Sequence, residues 1–438
     1  MIKYMINRLI SSKFHAKVRF FCQILVSLCH NYHNMKNLLT IIIPALLLTA
    51  CSKEEANNNI VQPIEDAVKR TVVVYMSGEN DLSSYVNSDI NEMASGYRSL
   101  NFEANLVLFV DKAMESPFIA QMTKDESHPL DTLYKYEQDF YASDPDAMRE
   151  VLERATTLCP ATQDYGLVLW GHASGWVIAT DSVASRRAYG RDTGDNTADG
   201  SKGMWINIPS LRKVLESTST NWEFIFCDCC NMANAETAYE LRKTAHYLIA
   251  SPGEIPGDGA PYTLIMPHLF STSSDCYKNL IDAYANYYHN NMPLAVIKLD
   301  QMEQLAKATY DILKTIEPTP DKELNLDNLI YYDGVKGLSL RSLFDMNDFL
   351  LQNTFEENYQ RWKLSFDKAV IDKCFGATWM TNEHVNFDKF KATKEKFGAM
   401  SMYIPRTFYD NYKYSRDYNK TYNKLSWYYA AGWPEFGW

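Results

Sequence analysis

The chain has 438 residues, 46% hydrophobic and 22% charged, a balance that suits a packed globular body and excludes collagen, coiled coil and general disorder. Its formal net charge is −11, although residues 1–50 carry Lys3, Arg8, Lys13, Lys17, Arg19 and Lys36 and no acid, so the acidity lies downstream. An acidic body disfavours phosphate-backbone binding, and no nucleic-acid partner is expected.

Met35-Lys36 opens an apolar run that ends in Leu48-Thr49-Ala50-Cys51. This is the layout of a secretory signal, and the run is too short for a good membrane span. Leu-Thr-Ala-Cys resembles the bacterial lipobox, in which cleavage leaves Cys51 as a lipidated N-terminus. Residues 1–50 are therefore expected to be a leader with its true start at Met35, and residues 51–68 a polar tether. A cell-envelope, outer-membrane lipoprotein is implied, held to the membrane by its N-terminal lipid. Lys53-Glu54-Glu55 resembles a surface-export tag.

Residues 71–75 form a β-branched run without alternation, as in a strand buried on both faces. The turn Ser77-Gly78-Glu79-Asn80-Asp81 follows, then a helix to about 93 and a second buried strand over 104–111. Ser143-Asp144-Pro145-Asp146 starts a helix running to 158. A third strand, 165–170, leads into Gly171-His172-Ala173-Ser174-Gly175-Trp176. After a polar loop over 185–202 come a helix at 208–217, a strand at 222–227, a helix at 233–241 and a strand at 247–250. From 275 onward the pattern is helical (277–288, 300–316, 343–351, 355–369), with one late strand at 399–404. Alternating strands and helices predict an α/β sandwich with a mainly parallel central sheet, its core over 69–270 and a helix-rich part over 271–438 packed on it. In such sheets the loops beyond the carboxyl ends of strands carry function, so the clusters at 171–176, 228–230 and 256–259 are expected on one edge.

Cys227-Asp228-Cys229-Cys230 closes a buried strand before a helix, whose N-terminus would lower a thiol pKa. His172 alone among the histidines follows a buried strand into a glycine-containing turn. His172 and His246 lack paired neighbours for a metal set, and adjacent cysteines make poor disulfide partners. From the residues alone, a His172–Cys230 catalytic pair is one reading among these.

Leu169-Trp170-Gly171-His172-Ala173-Ser174-Gly175-Trp176 resembles the histidine turn of the clostripain family of cysteine peptidases. Asp228-Cys229-Cys230-Asn231-Met232 and Pro256-Gly257-Asp258-Gly259-Ala260-Pro261-Tyr262 resemble its nucleophile and pocket segments. The resemblance spans about residues 70–435. It implies a caspase-like fold, Cys230 as nucleophile, His172 as proton carrier, and an oxyanion hole of the Ala173 and Cys230 amides. It further implies Asp228 and Asp258 as partners of a substrate Arg or Lys at P1, a monomer, and a zymogen that cuts itself in the 185–202 loop. Arg187 is the favoured autocleavage site among Arg186, Arg187, Arg191 and Lys202.

No cofactor is required and no metal ligand set is read. The resemblance leaves calcium open, with the acidic loop 192–199 either holding a cation or simply solvated. Gly171, Ala173 and Ala260 stand where the family usually has Asp, Gly and Trp. The first two changes leave a second reading, an inactive surface binding lipoprotein of the same fold.

Overall fold

Apolar side chains on both faces of a strand demand a covering layer on each side of the sheet. β1 (Arg70–Gly78) is buried throughout, with Val72, Val74 and Met76 packed in one core and Val73 and Tyr75 in the other. The computed structural model describes residues 69–178, 188–199, 203–322, 324, 326, 328–333, 341–376, 392–412 and 415–438. The expectations for the leader, Cys51, the tether, Arg186, Arg187 and Lys202 lie outside these residues.

The strands that follow are β2 (Asn105–Lys112), β3 (Glu115–Met122), β4 (Leu130–Lys135) and β5 (Asp164–Gly171). A small hairpin, β6 (Tyr189–Asp192) and β7 (Met204–Ile206), precedes β8 (Trp222–Asp228), β9 (Ala245–Ala250) and β10 (Leu294–Lys298). β11 (Leu343–Asp345), β12 (Val370–Cys374) and β13 (Ser401–Tyr403) complete the set described. The main sheet runs β12-β10-β9-β8-β5-β1-β2-β3-β4. Its five central strands, β9 to β2, are mutually parallel, and an antiparallel pair extends each edge. β10 and β12 come from the part after 271, which thus shares the sheet of the core.

Helices α1 (Ser83–Arg98), α5 (Tyr262–Phe270) and α6 (Cys276–Tyr287) cover one face. On the other lie α2 (Pro145–Leu158), α3 (Ile208–Ser217), α4 (Ala235–Glu240), α7 (Met302–Ile316), α8 (Met346–Asn353) and α9 (Glu356–Ala369). Local chemistry sets their starts. The Asp144 carboxylate accepts from the amides of Asp146 and Ala147, both at 3.0 Å, and Pro145 occupies the first helical position. The result is the α/β sandwich expected from the strand–helix alternation.

Candidate active site

β5 and β8 are parallel neighbours, with Trp170 opposite Asp228. His172 and Cys230 each lie two residues beyond that matched pair, so both emerge at the carboxyl edge on adjacent strands. At Gly171, φ is +139° and a Cβ would meet the Ser77 carbonyl oxygen at 2.8 Å, so the chain turns out of β5 where a side chain does not fit. Next, Ala173 bridges to Tyr189 through the flanking residues: Ser174 N–H donates to Ala188 O (3.1 Å) and Gly190 N–H to His172 O (2.8 Å). In this type of antiparallel pair the central N–H is not the one shared, so that of Ala173 faces away from Tyr189. Gly175 (φ +73°) lets the histidine turn touch the cysteine loop, since a Cβ there would lie 2.7 Å from Asn231 O.

The cysteine loop turns through Asn231 in the left-handed region (φ +61°), which Asn tolerates better than most residues. Asn231 N–H donates to Gly253 O at 2.8 Å, and Asn234 both donates to Asn231 O and caps α4 through Thr237 N–H, each at 2.7 Å. α4 therefore begins at 235, later than the sequence pattern indicated. The expected lowering of the Cys230 thiol is not found. Burial, reinforced by the charge of Glu254, pushes this half-buried thiol up to about 12, against a single amide donation from Ile255 at 3.4 Å. Cys227 and Cys229 are buried beneath it.

His172 Nε2 sits 2.7 Å from Asp81 Oδ1, which leaves Nδ1 outside that contact. Arg191 binds the same carboxylate oxygen and lies over Trp205, 5.9 Å from its ring centre. The His172 bond and the Arg191 charge together hold Asp81 below the usual carboxylate range. Reading the sequence missed Asp81 as a partner. The signal available was its place just past β1, whose Ser77 pairs with Gly171.

On the α1 side of the strand ends, carboxylates collect. Asp228 is buried and accepts from Tyr262 Oη (2.8 Å), Tyr284 Oη (3.3 Å) and Ala260 N–H (3.2 Å). Asp89 on α1 is also buried and accepts from Trp170 Nε1 at 2.6 Å. A Cβ at Gly259 would lie 2.9 Å from Asp228 Oδ2 and 3.3 Å from Asp89 Oδ2, so both carboxylates face the same point. Burial pushes Asp228 up to about 6; burial and then the Asp228 charge push Asp89 up to about 8. Half-buried Glu92 accepts from Tyr262 N–H at 3.1 Å and is raised by burial, while Asp258 is exposed beside them. Among the described residues no Lys or Arg is paired with any of these four acids. Of the two acids expected from the sequence, Asp228 is a buried member of the cluster and Asp258 an exposed one. Asp89 and Glu92 are additions.

A thiol and an imidazole on adjacent strand ends, beside a cluster of carboxylates with no Lys or Arg partner among the described residues, suit a cysteine peptidase built on an α/β sandwich. Residues 74–438 match the clostripain family, and the chain belongs to that family. Its structure is similar to a secreted C11 cysteine protease from Bacteroides thetaiotaomicron solved with an irreversible peptide inhibitor (27% identity, 84% of this chain and 99% of that one, TM-score 0.69). It is also similar to an inactive zymogen C11 protease from Parabacteroides distasonis (25% identity, 83% of this chain and 98% of that one, TM-score 0.68). No curated protein matches the chain. No helix among the described residues is long and apolar enough to cross a membrane.

Proposed function

We propose that this peptidase cuts proteins after Arg or Lys, with Cys230 as nucleophile and His172 as proton carrier. The observation that supports the specificity is the cluster in which buried Asp89 and Asp228 face one point, with no Lys or Arg paired to either among the described residues. A guanidinium or ammonium entering there relieves two desolvated carboxylates at once, and a guanidinium fork can bond bidentately.

In this reading the Cys230 proton passes to His172 Nδ1 as sulfur attacks the scissile carbonyl carbon. A thiol held near 12 is not ionised at rest, so transfer accompanies attack. The oxyanion is held by the Ala173 and Cys230 amides. Collapse expels the amine with the proton from His172 and leaves a thioester. Water then attacks, giving its proton to His172, and the thiol is re-formed. Asp81 orients the imidazole and offsets its charge while the proton is held.

Self-processing at Arg187 fits the same pocket. Ala188, which would become the new N-terminus, is buried, and its carbonyl holds Ser174 N–H beside His172. A cut there would free the chain bracing the histidine turn, in keeping with the zymogen state reported for the P. distasonis protein. Export as a monomeric lipoprotein anchored through Cys51 completes the proposal.

The test is turnover of matched fluorogenic peptides ending in Arg, Lys, Asn and Asp by residues 52–438, wild type and Cys230→Ala. Arg or Lys turnover that vanishes in the variant is expected. Preferred turnover of Asn or Asp peptides would overturn the assignment. Two fragments appearing in Cys230→Ala with no added protease would rule out self-processing.

A further inference from the structure

Trp205 takes no part in the chemistry above, yet its indole lies against the histidine. The ring centres of Trp205 and His172 are 6.3 Å apart with 43° between their planes, and the Arg191 guanidinium lies 5.9 Å from the indole. Trp205 stands on β7, and its neighbour Ile206 is buried in the same core as Tyr189 of β6. Alternation along the strand puts Trp205 on the side opposite Ile206. The hairpin is firmly seated. Tyr189 Oη donates to Tyr75 O (3.0 Å) and Trp170 O (3.1 Å), and Gly190 N–H donates to His172 O (2.8 Å). It is thus fixed to β1 and β5, the two strands whose ends carry Asp81 and His172.

The sheet order gives this placement a meaning. β8, β5 and β1 are neighbours in that order, so the groups beyond their ends follow as Cys230, His172 and Asp81. The carboxylate cluster lies on the face covered by α1 and α5, whereas the hairpin packs into the core of the opposite face. In peptide cleavage the departing nitrogen takes its proton from the histidine, so it comes within hydrogen-bond reach of His172. The chain beyond that nitrogen then leaves over the imidazole, away from Cys230, and next meets Trp205 and Arg191. The Arg191 charge is already matched by Asp81. Trp205 is half-buried, and its indole N–H is buried with no acceptor among the described residues. Its side chain therefore has only ring carbon to offer a ligand. Such a wall favours an apolar side chain, above all an aromatic one that can stack on it or meet it edge to face.

We propose that Trp205 is a specificity-determining residue on the leaving-group side, the wall of a subsite that takes an aromatic or large aliphatic residue at P1′. This rests on Cys230 and His172 acting as above, and not on which residue occupies P1. P1′ is the residue that carries the departing nitrogen, so its side chain begins beside His172 and the indole 6.3 Å away is within its reach. An aromatic pair of this kind is worth roughly a 3- to 10-fold gain in kcat/KM over glycine.

The test measures kcat/KM of the full chain, wild type and Trp205→Ala, on internally quenched peptides identical except at P1′, which is Phe, Leu or Gly. The series is made once with Arg and once with Asn at P1, and the readout is the Phe-to-Gly ratio within a series. In the wild type that ratio should be about 3 to 10, with Leu between, and in Trp205→Ala it should fall to about 1. If Trp205→Ala does not fold, Trp205→Leu serves, with the ratio cut roughly twofold or more. A flat ratio in the wild type would overturn the proposal. So would an equal loss on all three peptides in the variant, which leaves the ratio standing and marks a purely structural role. Failure of the P1 reading shows separately, as faster turnover of the Asn series, and the P1′ ratio is then read there.

Discussion

Asp228→Asn should make the protein more stable and a poorer enzyme, and the structure supplies both magnitudes. The carboxyl has an ordinary pKa of 3.8 and is pushed by burial to about 6 in the fold. With its folded pKa above its unfolded one, the group's stability contribution is full below about pH 4 and is lost as pH rises through 6. At about 1.4 kcal/mol per pH unit, the ionised form costs the fold roughly 2–3 kcal/mol at pH 8. Asn escapes that cost and keeps the local bonds. Its oxygen can take the Oδ2 position, accepting from Tyr262 Oη and Ala260 N–H, and its amide can donate to Tyr284 Oη, whose hydroxyl rotates to accept. The variant should gain about 2–5 °C in Tm at pH 8 and almost nothing at pH 4. A charge-assisted bond to a substrate guanidinium is worth about 1.5–3 kcal/mol, and Asp89 remains, so kcat/KM on an Arg peptide should fall roughly 10- to 100-fold. Thermal melts across pH 4–8, paired with peptide kinetics, check both halves. An unchanged Tm at pH 8 would refute the desolvation argument, and unchanged Arg turnover would remove Asp228 from the pocket.

Asp81→Asn should lower kcat about 5- to 30-fold with KM for the same peptide steady. The pair with His172 is half-exposed, so its worth to a charged imidazole is about 1–2 kcal/mol. A change in KM alone would place Asp81 in substrate binding instead. Iodoacetamide should label Cys230 in preference to the buried Cys227 and Cys229. The rate should climb about tenfold per pH unit from 6 to 9, because the thiol is held near 12. A plateau below pH 8 would mean that a thiolate–imidazolium pair already exists at rest.

The central strands were legible because burial on both faces leaves an unbroken apolar run, as in Val72, Val73 and Val74 or Phe224, Ile225 and Phe226. The sheet edges were not. β4 exposes Asp131, Thr132 and Lys135, β3 carries Glu115, Pro117 and Gln121, and β12 at the other edge exposes Ile371. Edge strands feel one covering layer or none, so their composition drifts toward that of loops. The same split holds at the site. His172 and Cys230 stand in local motifs at strand ends, whereas Asp81 and Arg191 belong to segments whose meeting depends on the whole sheet. Asp89 did leave a local trace. It sits between Val86, Ile90 and Met93, an acid inside the buried stripe of α1, which requires a partner on the face that the helix covers.

Gly171 shows why a departure from a family motif need not mean lost chemistry. An Asp before the histidine would set its Cβ 2.8 Å from the Ser77 carbonyl at a φ of +139°, so this backbone path excludes the usual residue. A carboxylate nevertheless reaches the imidazole, from Asp81 on the neighbouring strand end, and Arg191 holds it there. Position 171 turns the chain and Asp81 provides the charge. One of the two substitutions that left open an inactive binding protein is thus accompanied by an acid from elsewhere in contact with the histidine. It follows that Gly171→Asp in this background should bring a backbone clash before it brings any help to His172. Activity is therefore expected to fall alongside Tm, and a faster enzyme with unchanged Tm would show that the glycine was a loss rather than part of the turn.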